Sequence, residues 1–274
     1  MIVFPNCKIN LGLQILNKRS DGYHNLATVF YPVPLNDALE IIDCTNLDFS
    51  NSGLSVSGTS AENLCSKAYF LLKTDFPLIS PLKIHLHKNI PMGAGLGGGS
   101  ADAAFMLRLL NTYFQLNLST TQLMQYALQL GSDCPFFILN KPCLATGRGE
   151  ILTEIALDLT GYQLVLVNPG IHVNTAHAFA GINQQQSTTS NEKNLTEIIN
   201  KPVSEWKQEL KNDFEIPVFA QYPVLQNIKT ALYQAGAMYA AMSGSGSTLF
   251  GLFNKEQSIK INVDSSYFIR QLLL

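Results

Sequence analysis

Apolar and polar residues alternate strictly in the segment KINLGLQIL, with Ile9, Leu11, Leu13 and Ile15 on one side and Asn10, Gly12 and Gln14 on the other. A period of two belongs to a strand with one buried face. The run YHNLATVFYPV predicts a second extended segment, and the intervening NKRSDG carries an Asp21-Gly22 turn signal that would join the two as a hairpin. ENLCSKAYFLLK then places Leu64, Ala68, Leu71 and Leu72 at helical spacing. LKIHLH returns to alternation, with Leu82, Ile84 and Leu86 on one face and Lys83, His85 and His87 on the other, so a half-exposed strand is predicted.

Farther along, SADAAFMLRLLN reads as a helix with Ser100 near its cap, and STTQLMQYALQL as a helix that starts at a Ser/Thr cluster and stops at Gly131. SDCPFFIL reads as a loop and a short apolar strand. YQLVLVNPG predicts a buried strand ended by Pro169-Gly170, NTAHAFAGI the opening of a helix, and AMYAAMSGSGSTLFGLF a strand, a Gly/Ser turn and another strand. The polar stretch NQQQSTTSNEKN, residues 183–194, predicts a mobile surface loop. No internal repeat is visible. Amphipathic strands interleaved with helices, without the regular strand-helix order of a parallel sheet, predict an α+β architecture.

The 274 residues are enough for one large domain or for two modest lobes. A hydrophobic share of 46% against 14% charged residues is globular, and a formal net charge of −2 offers nucleic acid no broad attraction, so no nucleic-acid partner is expected. Five scattered cysteines never form a CxxC pair, which argues against a disulfide framework and a zinc knuckle and fits a reducing compartment. MIVFPNCKIN lacks the hydrophobic core of a signal peptide, and no apolar run approaches the roughly 20 residues of a membrane helix. A soluble, cytoplasmic protein is the expectation.

The strongest chemical signal is PMGAGLGGGS, residues 91–100, which has five glycines between a predicted strand and a predicted helix. Glycines let several backbone N–H groups converge on one anion, and a following helix adds its own unpaired N–H groups. Phosphate is the natural ligand. Gly93, Gly95 and Gly98 satisfy GxGxxG, but the preceding strand is polar on one face and residues 103–132 contain no Asp or Glu for a ribose, which excludes a dinucleotide fold. Gly99-Ser100 stands where a P-loop has Lys-Ser/Thr, and VAIK, HRD and DFG are absent. A merely tight strand-to-helix connection would need only one or two glycines.

PMGAGLGGGSADAA resembles the phosphate-binding motif of the GHMP kinases, and further blocks resemble the same family in its order: NCKINLGLQILNKRSDGYHNLATVF, ENLCSKA, GSDCPFFI and AMSGSGSTLFGLF. These blocks span nearly the whole chain and match best the branch that phosphorylates a cytidine-bearing alcohol. The resemblance implies a two-lobed α+β fold with an active-site cleft between the lobes. Residues 1–155 would form the N-terminal lobe, like ribosomal protein S5 domain 2, and residues 156–274 a ferredoxin-like C-terminal lobe. It also implies ATP as donor, with Mg²⁺, and the 2-hydroxyl of 4-diphosphocytidyl-2-C-methyl-D-erythritol as acceptor, in the methylerythritol phosphate route to isoprenoids. A monomer or weak homodimer is expected.

Residue by residue, the resemblance puts the ATP phosphates on Pro91, Met92, Gly93, Ala94, Gly95, Leu96, Gly97, Gly98, Gly99, Ser100 and Ala101, with Ser100 a possible magnesium ligand. Asp133 becomes the base that takes the substrate hydroxyl proton, although a lone Asp is ordinarily a surface carboxylate or turn acceptor. Lys8 becomes its partner, although a lone strand Lys is ordinarily a solvated edge residue. Asn10 lies two positions on, on the same strand face. Tyr23 and His24 would bind cytidine, with Thr175 and Phe179, four residues apart on one helix face, completing the pocket. From the residues alone, cross-strand packing is the plainer role for Tyr23 and His24. SGSGS at residues 243–247 matches a third family motif but also suits a plain hairpin turn. Cys7 stands where the family usually has Ala, and its thiol would be a candidate for reactivity. His85 and His87 share a strand face without a third ligand, and exposed positions suit them better than a metal site. Two rivals remain open: a GHMP kinase acting on a smaller alcohol such as homoserine, and a nucleotide-binding module without chemistry.

Overall fold

The computed structural model describes residues 1–56, 58–182 and 195–274, and the predicted 183–194 loop lies outside the described residues. In chain order the strands are β1 (Ile2–Val3), β2 (Asn6–Lys18), β3 (His24–Asn36), β4 (Ala38–Asp43), β5 (Asp48–Gly53), β6 (Leu82–Lys88), β7 (Cys143–Thr146), β8 (Ile151–Glu154), β9 (Tyr162–Asn168), β10 (Tyr239–Met242), β11 (Leu249–Asn254) and β12 (Phe268–Leu273). The helices are α1 (Leu64–Asp75), α2 (Gly98–Tyr113), α3 (Thr120–Leu130), α4 (Cys134–Leu139), α5 (Thr175–Ala180), α6 (Leu195–Ile199), α7 (Trp206–Glu209), α8 (Glu215–Gln221) and α9 (Pro223–Gln234). They assemble into two compact units. The first comprises Met1–Lys8, Pro34–Met92 and Gly97–Lys141; the second comprises Ile9–Val33, Gly93–Leu96 and Pro142–Leu274.

In the first unit a sheet of order β1-β4-β6-β5 has β6 antiparallel to β4 and parallel to β5, the crossover from β5 to β6 running through α1. The period-two pattern of β6 is realised, with Leu82, Ile84 and Leu86 buried. Helix α1 starts where the Asn63 side chain accepts the Cys65 N–H at 2.9 Å, and it buries Cys65, Ala68, Tyr69 and Leu72 on one face. Helix α3 begins with a capping box between Ser119 and Gln122 and ends at Gly131. Helix α2 starts two residues before Ser100, and its N-cap is Gly97 in the left-handed conformation. Its buried face carries Ala101, Ala103 and Ala104, whose small side chains admit close neighbours.

Residues 134–139 correct one expectation: the CPFFIL run is the helix α4, not a strand. Six consecutive apolar residues carry no period, so alternation has nothing to report. Pro135 in the first turn suits a helix start, where its missing N–H costs nothing, and would break a central strand. The run is apolar because Phe136 and Phe137 are fully buried.

The second unit holds the sheet β10-β11-β9-β12 and, except for the first residues of β2 and the last of β3, the sheet β2-β3-β7-β8. The β2–β3 hairpin closes where Arg19 N–H donates to Tyr23 O at 2.7 Å. The sheet β10-β11-β9-β12 is antiparallel throughout, with β11 against β10 and β9, and β12 on the other edge of β9. Leu13 and Ile15 from β2 join Val165, Val167, Phe214, Leu225, Leu232, Met242, Leu249 and Phe253 in one buried cluster. That cluster fastens the hairpin and α9 to the sheet, so the loops at its rim stand on a packed base.

Candidate active site

Within the first unit, β2 delivers Lys8 and the N-terminus of α4 delivers Asp133. Lys8 Nζ lies 3.4 Å from Asp133 Oδ2, the lysine side chain 4% exposed and the aspartate 34%. A buried ammonium beside a carboxylate that still meets solvent is one charge pair with one open side. Gly97 makes this neighbourhood possible. Its φ is +69°, and a Cβ there would meet Phe137 Cζ at 2.9 Å and Lys8 Cε at 3.2 Å. Ser100 lies half-buried in the first turn of α2. The neighbouring Cys134 thiol is pushed up to about 12 by burial.

Cys7 is a second correction. It is wholly buried, and burial followed by the nearby Asp37 charge pushes its thiol up to about 12. A thiol that stays protonated at neutral pH is not a nucleophile.

Under the start of α2 the structure brings together charged groups that the sequence reading missed. Lys88 Nζ donates to Asp102 Oδ2 at 2.7 Å and to Asp37 Oδ2, all three side chains being buried. Asp37 Oδ1 also accepts the N–H groups of Asn89 and Ile90 at 2.6 and 2.9 Å, which pins the strand end leading into the glycine run. Among the described residues Asp102 Oδ1 has no hydrogen-bond partner. Burial, opposed by Lys88 and reinforced by Asp37, pushes the Asp102 carboxyl up to about 7. A cavity of about 90 Å³ opens beside these groups, with Leu64, Leu86, Met92 and Gly99 among its walls. The signal was present: continuing the β6 alternation one step past Leu86 puts Lys88 on the buried face, and a buried lysine demands acidic partners.

In the second unit the remaining glycine-run residues, 93–96, rest on the SGSGS turn. Ser243 Oγ donates to Gly95 O at 2.8 Å, and Thr248 N–H donates to Ala94 O at 3.2 Å. Asn10 belongs to the same network: its N–H donates to Ser243 Oγ at 3.2 Å and its amide donates to Thr28 Oγ1 at 3.0 Å. Two buried asparagines, also missed, brace the turn. Asn212 Nδ2 donates to the carbonyls of Met242 and Gly244, each at 2.8 Å, and Asn168 Nδ2 donates to Thr248 Oγ1 at 2.9 Å.

A larger cavity, about 580 Å³, lies in the second unit and is lined by Lys18, Tyr23, His24, Thr175, Phe179 and Ile182 among others. The His24 and Phe179 rings stack, centroids 5.1 Å apart and planes 10° off parallel, and Phe214 meets Phe179 edge-on at 4.8 Å. Tyr23 is 57% exposed. Thr175 and Phe179 share α5, whose N-cap Asn174 side chain accepts the His177 N–H, and Thr175 Oγ1 lies 2.9 Å from Ser245 Oγ. Apolar ring faces with a few polar groups make a wall suited to a flat heterocycle. His85 and His87 are bridged by Ser52 Oγ, at 2.9 Å from a nitrogen of each ring. Among the described residues no group of three or more His, Cys, Asp or Glu side chains converges as metal ligands would.

A glycine-cradled helix start, a Lys–Asp pair near it and a ring-lined cavity on an α+β frame describe a small-molecule kinase. Residues 63–141 match the GHMP kinases N terminal domain and residues 194–261 the GHMP kinases C terminal domain. The chain belongs to the GHMP kinase family, and it is an ATP-dependent kinase with that family's α+β fold.

Among its relatives, the 4-diphosphocytidyl-2-C-methyl-D-erythritol kinase of Bacteroides fragilis is 55% identical over 272 residues, 97% of each chain. The protein of the same name from Bacteroides thetaiotaomicron is 54% identical over 94% of each. A crystal structure of 4-(cytidine 5'-diphospho)-2C-methyl-D-erythritol kinase superposes with a TM-score of 0.80 at 32% identity, covering 92% of this chain and 90% of that one. The mevalonate kinase of Methanococcus jannaschii, at 13% identity and a TM-score of 0.70, shares the fold. No described helix is long and apolar enough to cross a membrane.

Proposed function

We propose that the protein transfers the γ-phosphoryl group of ATP to the 2-hydroxyl of 4-diphosphocytidyl-2-C-methyl-D-erythritol, releasing ADP and the 2-phosphate. The observation that carries this reading is 55% identity over 97% of the chain to a relative named for that acceptor. The ring-lined cavity of Tyr23, His24 and Phe179 supports it, since a cytosine offers a flat face to stack and polar edges to bond.

In this reading residues 91–101 cradle the ATP phosphates through backbone N–H groups, and Leu64, Leu86 and Met92 offer the base an apolar wall. Asp133 accepts the proton of the 2-hydroxyl as its oxygen attacks the γ-phosphorus in line, and Lys8 balances the negative charge gathering there. Asn10 and Thr175 help hold the substrate, with cytosine against Tyr23, His24 and Phe179. Magnesium is ordinarily held through nucleotide phosphates with one or two protein oxygens, and the half-buried Ser100 hydroxyl in the first turn of α2 fits that need. Bound there, it would neutralise charge on the β- and γ-phosphates. Residues 1–155 and 156–274 are read as the two lobes of the kinase, acting as a monomer or weak homodimer in the cytoplasm.

The test is ADP release by purified protein with Mg-ATP and the cytidyl alcohol, beside homoserine and a no-acceptor control. Turnover with the cytidyl alcohol alone is the expected result. Turnover with homoserine instead, or ATP binding without turnover on any acceptor, would overturn the reading.

A further inference from the structure

Tyr23 has a neighbour that the cavity does not explain. Arg148, in the turn between β7 and β8, places its guanidinium carbon 5.0 Å from the centroid of the Tyr23 ring. It is not among the residues lining the 580 Å³ cavity, whereas Tyr23 is. The β7–β8 turn is tied to β3 close to Tyr23, since Leu26 N–H donates to Gly147 O at 2.8 Å. Arg148 is itself held, its Nε 3.6 Å from Glu150 Oε1 and its backbone N–H donating to Glu150 Oε2 at 2.5 Å. On the hairpin side Asp21 accepts the Tyr23 N–H at 3.1 Å and pairs with Arg19 at 2.9 Å.

These contacts answer a mechanical problem. An aromatic side chain more than half exposed has little packing to fix its rotamer, and a ring that must first be ordered binds a partner less tightly. A cation over one face supplies that order through the ring quadrupole and leaves the other face open. We infer that Arg148 is a positioning residue that holds Tyr23 so that its free face receives the base of the acceptor substrate. The inference rests on reading the Tyr23, His24 and Phe179 cavity as the cytidine site.

Calorimetric titration of the full chain with cytidine and with CDP, without ATP, tests it in the wild type, Arg148→Met, Arg148→Lys, Tyr23→Leu and the Arg148→Met/Tyr23→Leu double variant. Arg148→Met should weaken both ligands by the same factor, about three- to fivefold for an exposed cation–π contact. Arg148→Lys should recover most of the loss, and in the Tyr23→Leu background Arg148→Met should change nothing further. In turnover the loss should fall on the acceptor KM and not on that of ATP. A loss confined to CDP would mean that Arg148 meets the diphosphate directly, and a loss undiminished without Tyr23 would mean that it acts elsewhere; either overturns the inference. Equal binding by wild type and Arg148→Met also defeats it while sparing the cytidine reading. Failure of the wild type to bind either ligand defeats both.

Discussion

Lys8 Nζ and Asp133 Oδ2 stand 3.4 Å apart, the ammonium enclosed and the carboxylate open on one side. A pair that served only stability would gain little from that open side, since a partly solvated ion pair is worth little. A proton acceptor, the role proposed for Asp133, needs it. Asp133→Asn should therefore lower kcat by about 10²- to 10⁴-fold, with the melting temperature and ATP affinity close to wild type. Retention of more than a tenth of wild-type kcat would remove Asp133 from the role of base.

Gly95 has φ +78°, and a Cβ there would lie 2.0 Å from the carbonyl oxygen of Ser243. Gly95→Ala must therefore displace the turn as well as strain the backbone, and a loss of about 1 to 3 kcal/mol is expected in chemical denaturation. Gly99 is the contrast: it is helical, and its Cβ would sit 3.7 Å from Leu64 Cδ1, an ordinary contact. Gly99→Ala should leave stability unchanged or raise it, because alanine suits a helix better. Equal effects at the two positions would refute this account of the loop.

Asp102 links stability to pH. Its carboxyl is raised from 3.8 to about 7 by burial, against the opposing Lys88 and with the like charge of Asp37. The folded state then holds a proton that the unfolded chain has released between about pH 4 and 7. The group's favourable contribution is present below the unfolded value and is lost as pH rises through 7. Asp102→Asn removes the titration, so the melting temperature of the variant relative to wild type should rise between pH 5 and pH 8. A difference that stays constant over that range would show that Asp102 does not titrate there.

Of the five cysteines, Cys44 alone is exposed, and Cys7, Cys65, Cys134 and Cys143 are buried. Burial also raises the Cys7, Cys65 and Cys134 thiols. A thiol reagent should label one site in the native protein, identified as Cys44 by peptide mapping, and all five after unfolding. Rapid native labelling of Cys7 would mean that the strand beside Lys8 opens readily.

The glycine run at residues 91–100 was legible as a candidate phosphate site because its signal is a short local one: missing Cβ atoms and the helix that follows. The alternating strands, the Ser/Thr start and Gly131 stop of α3 and the β10–β11 hairpin were legible for the same reason, each being encoded within a few neighbouring residues. CPFFIL was misread because an unbroken apolar run states only that it is buried, and its packing among α2 and α3 determines that it is helical. The Asp37–Lys88–Asp102 cluster, the asparagine braces of the SGSGS turn and the Arg148 cover on Tyr23 lay beyond local reading. Each joins groups far apart in the chain, and only tertiary packing decides which buried polar group meets which partner. By itself the sequence determined the alternating strands, the helices α1 to α3 and a glycine run ahead of a helix, through periodicity and backbone freedom. The tertiary structure alone decided which charges are enclosed together and which ring faces stay open, because burial and electrostatic coupling are properties of assembled neighbours.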